Sequence, residues 1–151
     1  MTKSELSRET PHFPLPVVAE RLSPGGAGNV VMNLLALEPE SVEAIGVFGE
    51  DWRGEALRGL LKKAGAGISG VVTDPTRMTN TYIKPLRKGY ADNVVYEDPR
   101  LDFTNYDPLG AETEKRIIQA LNRIAKKCDV LCVCDQMPFG CVTPAVRARI
   151  I

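Results

Sequence analysis

Ala44-Ile45-Gly46-Val47-Phe48-Gly49-Glu50-Asp51-Trp52-Arg53-Gly54 is the stretch that decides the fold. Its first five residues form a short, continuous apolar run, the pattern of a strand covered on both faces of a parallel sheet. The run stops at Gly49, and Asp51 can cap a following helix by accepting an amide of its first turn. That helix extends to about Ala64, with Ala56, Leu57, Leu60, Leu61 and Ala64 on one stripe, and Gly65 ends it. A strand-loop-helix unit of this kind predicts an α/β protein.

Immediately upstream lies Ser23-Pro24-Gly25-Gly26-Ala27-Gly28-Asn29-Val30-Val31-Met32-Asn33. A glycine-rich turn here feeds an apolar helix expected over Asn29 to Leu37, with Asn29 in its first turn and Pro39 stopping it. Gly25, Gly26 and Gly28 have no Cβ, so a ligand can approach the main chain. The first amides of a helix have no intrahelical partners. Asn29 adds a group that both donates and accepts. This chemistry suits a polyhydroxylated ligand, although simple helix-start punctuation gives the same pattern. A P-loop is excluded because no Gly-Lys-Ser/Thr follows. A dinucleotide fingerprint fails because Val31 stands where its third glycine belongs. Further upstream, Pro11, Pro14 and Pro16 favour extended chain, and Val17 to Ala19 is expected to form a short strand.

Downstream, Thr79 to Lys84 is rich in β-formers and alternates polar with apolar residues, and Val94 to Glu97 returns the chain. With a turn at Gly89 to Asn93 they predict a hairpin over about 76–98 with one wet face. Such a ribbon is either a lid or dimer surface, or an ordinary edge hairpin. Asp107-Pro108 is expected to cap a helix running to about Lys127, with Ile117, Leu121, Ile124 and Cys128 as the buried stripe. Val130 to Cys134 reads as a second buried strand. Asp135 follows it, where α/β sheets hold their ligands, or serves as a plain loop cap. Thr143 and Pro144 start a last helix.

The 151 residues suit one domain, 1–151, and the layer set is expected to be incomplete at both ends. Nineteen basic and nineteen acidic residues cancel, so there is no global field for nucleic acid or an anionic membrane. No apolar run is long enough to span a bilayer, and the polar opening residues give no signal peptide. Cys128, Cys132, Cys134 and Cys141 lack zinc spacings. Free thiols fit a reducing compartment, so a cytoplasmic location is expected. His12, the single histidine, lies among prolines and is expected on the surface.

Gly25-Gly26-Ala27-Gly28-Asn29-Val30-x-Met32-Asn33-Leu34, followed by Ile45-Gly46-Val47-x-Gly49-x-Asp51-x-x-Gly54, resembles the N-terminal signature of the PfkB (ribokinase-like) carbohydrate kinases. Pro14-x-Pro16-Val17-Val18, Arg100-Leu101-Asp102-Phe103 and Asp135-Gln136 are most similar to the kinase domain of bifunctional ADP-heptose synthases. The resemblance implies a parallel-rich sheet flanked by helices, with the hairpin as a small β lid. It implies transfer of the γ-phosphoryl of ATP, with Mg²⁺, to a hydroxyl of a sugar or sugar phosphate, and lids that pair in a homodimer. Gly25, Gly26, Asn29 and Asp135 would bind the sugar. Lys84, Arg87 and Arg100 would serve the lid or a substrate phosphate.

The family's Gly-Ala-Gly-Asp turn, which carries the catalytic aspartate, does not occur in these residues, so no catalytic residue and no metal ligand are expected among them. Met137-Pro138-Phe139 replaces the loop lysine of the heptose kinases. Three functions follow: a sugar kinase represented by its N-terminal half and inactive alone, a non-catalytic sugar-binding or regulatory module, or a docking partner for another chain.

Overall fold

The computed structural model describes residues 7–9, 11, 14–88 and 94–151. His12 and the expected turn at Gly89 to Asn93 lie outside the described residues. Helix α1 (Gly25–Leu35) precedes strand β1 (Glu43–Gly49), helix α2 (Trp52–Lys63) and strand β2 (Gly67–Asp74). Strands β1 and β2 pair in parallel, from Glu43↔Gly67 to Gly49↔Asp74, with an irregularity after Glu43.

Helix α2 has well-defined ends. Asp51 accepts the Gly54 amide at its start, Glu55 lies in the first turn, and Lys62 and Lys63 lie in the last. These charges oppose the helix dipole. At the C-terminus Gly65, at φ 95°, donates to the Lys62 carbonyl and Ala66 donates to the Leu61 carbonyl, both at 3.0 Å. That is the Schellman arrangement, and its left-handed residue favours glycine. The tight stop returns the chain directly into β2, a strand the sequence reading did not contain.

Alternation along β1 sorts its side chains between two layers. Ile45 and Val47 pack with Val72, Ile117, Leu121 and Val146. Ala44 and Phe48 pack with Leu61, Leu57, Val31 and Leu35. Helices α3 (Ala111–Ala125) and α4 (Pro144–Ile150) therefore cover one face, while α1 and α2 cover the other. This two-sided cover is why β1 reads as an unbroken apolar run. Ile117, Leu121 and Ile124 are buried as expected, and Thr143 caps α4 by accepting the Val146 amide.

Four short strands build the ribbon. Strand β3 (Thr81–Ile83) pairs antiparallel with β6 (Leu101–Phe103), and β4 (Leu86–Lys88) pairs with β5 (Val95–Glu97). The expected hairpin is thus longer and differently paired: Thr81 to Ile83 faces Leu101 to Phe103, and Val95 to Glu97 faces residues 86–88. Between the two ladders residues 84 and 85 stand opposite 98 to 100. Pro85 and Pro99 lack the amide a continuous ladder needs.

Other expectations are corrected. Helix α1 begins at Gly25 and ends at Leu35, so Asn29 is its fifth residue and lies beyond the first turn. Helix α3 starts after Gly110, not at Asp107-Pro108, and Cys128 lies exposed beyond its end. Val17 to Ala19 forms no strand, with Val17 and Val18 at 85% and 93% exposure. Val130 to Cys134 is likewise outside every ladder among the described residues, and Val130 is 75% exposed. A strand needs a neighbour to take its amides and carbonyls. β-Propensity without one leaves extended chain. Among the described residues no helix is long and apolar enough to cross a membrane.

Ile117 is 1% exposed between the sheet and α4. Ile117→Ala is expected to lower unfolding free energy by about 2–5 kcal/mol. Urea denaturation checks this; a loss below about 1 kcal/mol would place Ile117 outside the core.

Candidate functional site

The Gly49-x-Asp51-x-x-Gly54 segment folds into a clasp. Asp51 Oδ1 accepts the Gly54 amide at 2.8 Å, and Oδ2 accepts the Thr79 amide at 2.8 Å. Thr79 Oγ1 in turn accepts the Gly49 amide at 2.9 Å. The spacing of the two glycines follows from this crowding. A Cβ on Gly49 would meet the Thr79 nitrogen at 2.8 Å, and one on Gly54 would meet the Gly49 carbonyl oxygen at 2.7 Å. The clasp ties the β1–α2 corner to the root of the ribbon. Partial burial pushes the Asp51 carboxyl up, but the amides of Thr79 and Gly54, the Thr79 side chain and the Arg53 charge together hold it below its ordinary value.

Asp74, at the end of β2, is 4% exposed and equally committed. It accepts from the Thr76 amide at 2.9 Å, the Thr76 hydroxyl at 2.6 Å and the Thr113 hydroxyl at 2.7 Å. Burial raises its carboxyl, but these bonds and Arg77 outweigh that and hold it low. Arg77 donates to the carbonyls of Asp107, at 3.0 Å, and of Phe139, fastening both loops to the end of β2.

The α1 mouth faces the 135–136 corner. A Cβ on Gly26 would collide with the Gln136 carboxamide, so residues far apart in sequence lie in contact there. Pro24 at the N-cap supplies no side-chain bond to the α1 amides, and the first turn holds no acidic residue. Asp135 Oδ2 accepts from Arg147 of α4 at 2.5 Å. Gly25, Gly26, Lys84, Arg87 and Asp135 line one open cleft of about 2940 Å³, bounded also by chain 15–24 and by β1. Its size exceeds the ~300–1,000 Å³ of an ordinary ligand pocket, so it is an open trough. Asn29 and Arg100 lie outside its wall. Asn29 is exposed on α1. Its Cβ tilts back toward the helix N-terminus, one turn above Gly25 and Gly26.

The expected phosphate contacts are all paired with carboxylates. Lys84 Nζ is 3.2 Å from Glu97, and Arg87 grips Asp98 with contacts of 2.5–2.8 Å. Arg100 holds Asp102 at 2.6 and 2.7 Å and lies 4.0 Å over the Tyr82 ring. The Asp98 and Asp102 hydrogen bonds raise the pKa of Arg87 and Arg100 above the usual arginine value. Burial pushes the Cys141 thiol up, away from a reactive thiolate. Among the described residues no three His, Cys, Asp or Glu side chains gather as a metal-ligand set.

Thr79, Asp74, Arg77, Arg53 and Arg147 are the residues that sequence reasoning missed. The local signal for Thr79 was nil, because its role depends on a partner 28 residues away. For Arg53 the neighbouring Trp52 was a usable hint.

Parallel strands with helices on both faces, a glycine-rich helix mouth and a separate ribbon define an α/β domain. The chain belongs to the pfkB family of carbohydrate kinases: residues 13–135 match the family described as pfkB family carbohydrate kinase. Similar proteins include a "Bifunctional protein HldE" of Geobacter sulfurreducens, 32% identical over 146 residues, and one of Wolinella succinogenes, 33% identical over 150 residues. Each match covers 97% of this chain, but 28% and 30% of the respective relative. A third, from Citrifermentans bemidjiense, is 34% identical over 145 residues, covering 96% of this chain and 28% of the relative. The chain spans less than a third of the length of these relatives.

The lowered Asp51 carboxyl gives stability that is complete above its unfolded value, near 3.8, and lost as pH falls through the lower folded value. Asp51→Asn keeps an acceptor for one amide and turns a donor toward the other. It is expected to lose about 1–3 kcal/mol at pH 7 and to show a shallower acid decline. Urea midpoints between pH 7 and pH ~2.5 check this; identical acid slopes would contradict the clasp.

Proposed function

We propose that this chain builds the sugar side of a ribokinase-like carbohydrate kinase site, with the β3–β6 ribbon as a lid over it. Gly25 and Gly26 offer helix-start amides to sugar hydroxyl oxygens, and Asn29, one turn further along α1, would serve at the edge of the cleft. Asp135 uses Oδ1 to accept from a sugar hydroxyl while Arg147 fixes Oδ2. The observation that carries this reading is the contact of Gln136 with Gly26. It supports one binding corner built from the α1 mouth and the end of the 130–134 stretch.

In a complete kinase of this class, ATP with Mg²⁺ supplies the phosphoryl group, and catalysis is positioning plus electrostatic stabilisation. The present residues would contribute by orienting the acceptor hydroxyl and by excluding water beneath the ribbon. The expected substrate is a sugar or sugar phosphate. The expected location is the cytoplasm, and the exposed apolar side chains of the ribbon, Leu86 and Val95 among them, support pairing of two lids. No Gly-Ala-Gly-Asp turn occurs in the 151 residues, which supports binding without turnover by this polypeptide.

Calorimetry against a panel of sugars and sugar phosphates is expected to find a binder, with Asp135→Asn at least about tenfold weaker. Heat from no member of the panel would contradict the proposal. A coupled ATPase assay on the same 151-residue chain, with the sugar that binds, is expected to stay at background. Phosphotransfer above background would show that the residues assigned here omit a working base.

A further inference from the structure

We propose that Arg53 is an anion-binding residue of this cleft, which takes an oxyanion substituent, phosphate ester or carboxylate, carried by the ligand. The inference rests on the sugar-site reading for the ligand it names. Arg53 is the second residue of α2, and its side chain is only 16% exposed. The guanidinium carbon lies 3.6 Å from the Phe103 ring centroid and 5.1 Å from that of Trp52. These faces fix the plane of the group and satisfy part of its charge. They do not accept the hydrogen bonds that its in-plane N–H groups can donate.

Nothing else on the described chain accepts them well. Nε is buried without a hydrogen-bond partner. The Asp51 Oδ2 atom is 4.0 Å from Nη1, beyond hydrogen-bond reach, and already accepts the Thr79 amide. Three other cations that line the cleft are engaged: Lys84 and Arg87 are matched to Glu97 and Asp98, and Arg77 is spent on loop carbonyls. Arg53 lines the same cleft as Gly25 and Gly26. Asp51 offsets part of the Arg53 charge at 4.0 Å but takes none of its hydrogen bonds. A largely buried guanidinium with unfilled donors is costly, and an oxyanion is the group that fills such donors most strongly. The ligand class is therefore an anionic sugar, either a sugar phosphate or a sugar acid.

Trp52, the single tryptophan of the chain, provides the reporter. The 151-residue protein is titrated at constant ionic strength with inorganic phosphate, with acetate and with D-glucose, followed by Trp52 fluorescence and by calorimetry. Phosphate or acetate is expected to give a saturable response, and the stronger of the two identifies the substituent. Arg53→Gln is expected to weaken it at least about tenfold, and Arg53→Lys, which keeps charge but loses the fork, less so. Thermal melts of both variants confirm that they fold. No saturable response by either method, or an unchanged midpoint in a folded Arg53→Gln, overturns the proposal. If oxyanions bind through Arg53 while no sugar of the panel binds, the sugar reading fails and the anion site stands. If sugars bind and oxyanions do not, the reverse holds.

Discussion

Both carboxylate oxygens of Asp51 are occupied by backbone amides, Gly54 on one and Thr79 on the other, each at 2.8 Å. One side chain therefore satisfies a helix terminus and a ribbon root at once. The third link, from the Gly49 amide to Thr79 Oγ1, closes the ring. The result is a rigid corner at the end of β1. It sets where α2 begins, where the ribbon leaves the body, and where Arg53 stands, two residues after Asp51 in the first turn of α2. Charge-assisted bonds to a carboxylate are stronger than neutral ones, which suits a joint made of so few atoms.

The two-layer packing gives that corner something to act on. Phe48, one residue before Gly49, is buried beside Leu61 and Ala66 on the α2 face. Val47 turns to the opposite face, with Ile117 and Val146. A one-residue slip in β1 would exchange these two sets and move the clasp with them. Arg77 and Asp74 perform a similar task at the end of β2, where they hold the 107–108 and 139 carbonyls and the start of α3. Both parallel strands thus end in a committed aspartate. In this fold the strand-end carboxylates of the described sheet are architectural. Asp135 stands apart from both, on a separate stretch, with Arg147 on its Oδ2.

Local chemistry was legible in the sequence, and pairing was not. The Asp51 and Thr143 caps and the Ile117–Leu121–Ile124 stripe depend on residues within one or two turns, so spacing revealed them. The parallel β2 strand was hidden because Gly67, Ser69 and Gly70 break its apolar pattern, and its register depends on β1. The ribbon's pairing was misread because Pro85 and Pro99 split one ladder into two. Val17 to Ala19 and Val130 to Cys134 have strand composition but no ladder partner among the described residues. For the site, motif chemistry singled out Gly25, Gly26, Asn29 and Asp135, of which Gly25, Gly26 and Asp135 line one cleft and Asn29 does not. Arg53 was missed because its meaning depends on Phe103, fifty residues away in sequence but 3.6 Å from its guanidinium.

A double-mutant cycle on Asp51 and Thr79 tests the clasp most directly. Asp51→Ala, Thr79→Ala and the double variant are compared by urea denaturation at pH 7. If the ring acts as one unit, the two single losses overlap, with a coupling of about 1 kcal/mol or more. Strictly additive losses would mean that the β1 corner and the ribbon root are held independently, and the account built on their union would fall.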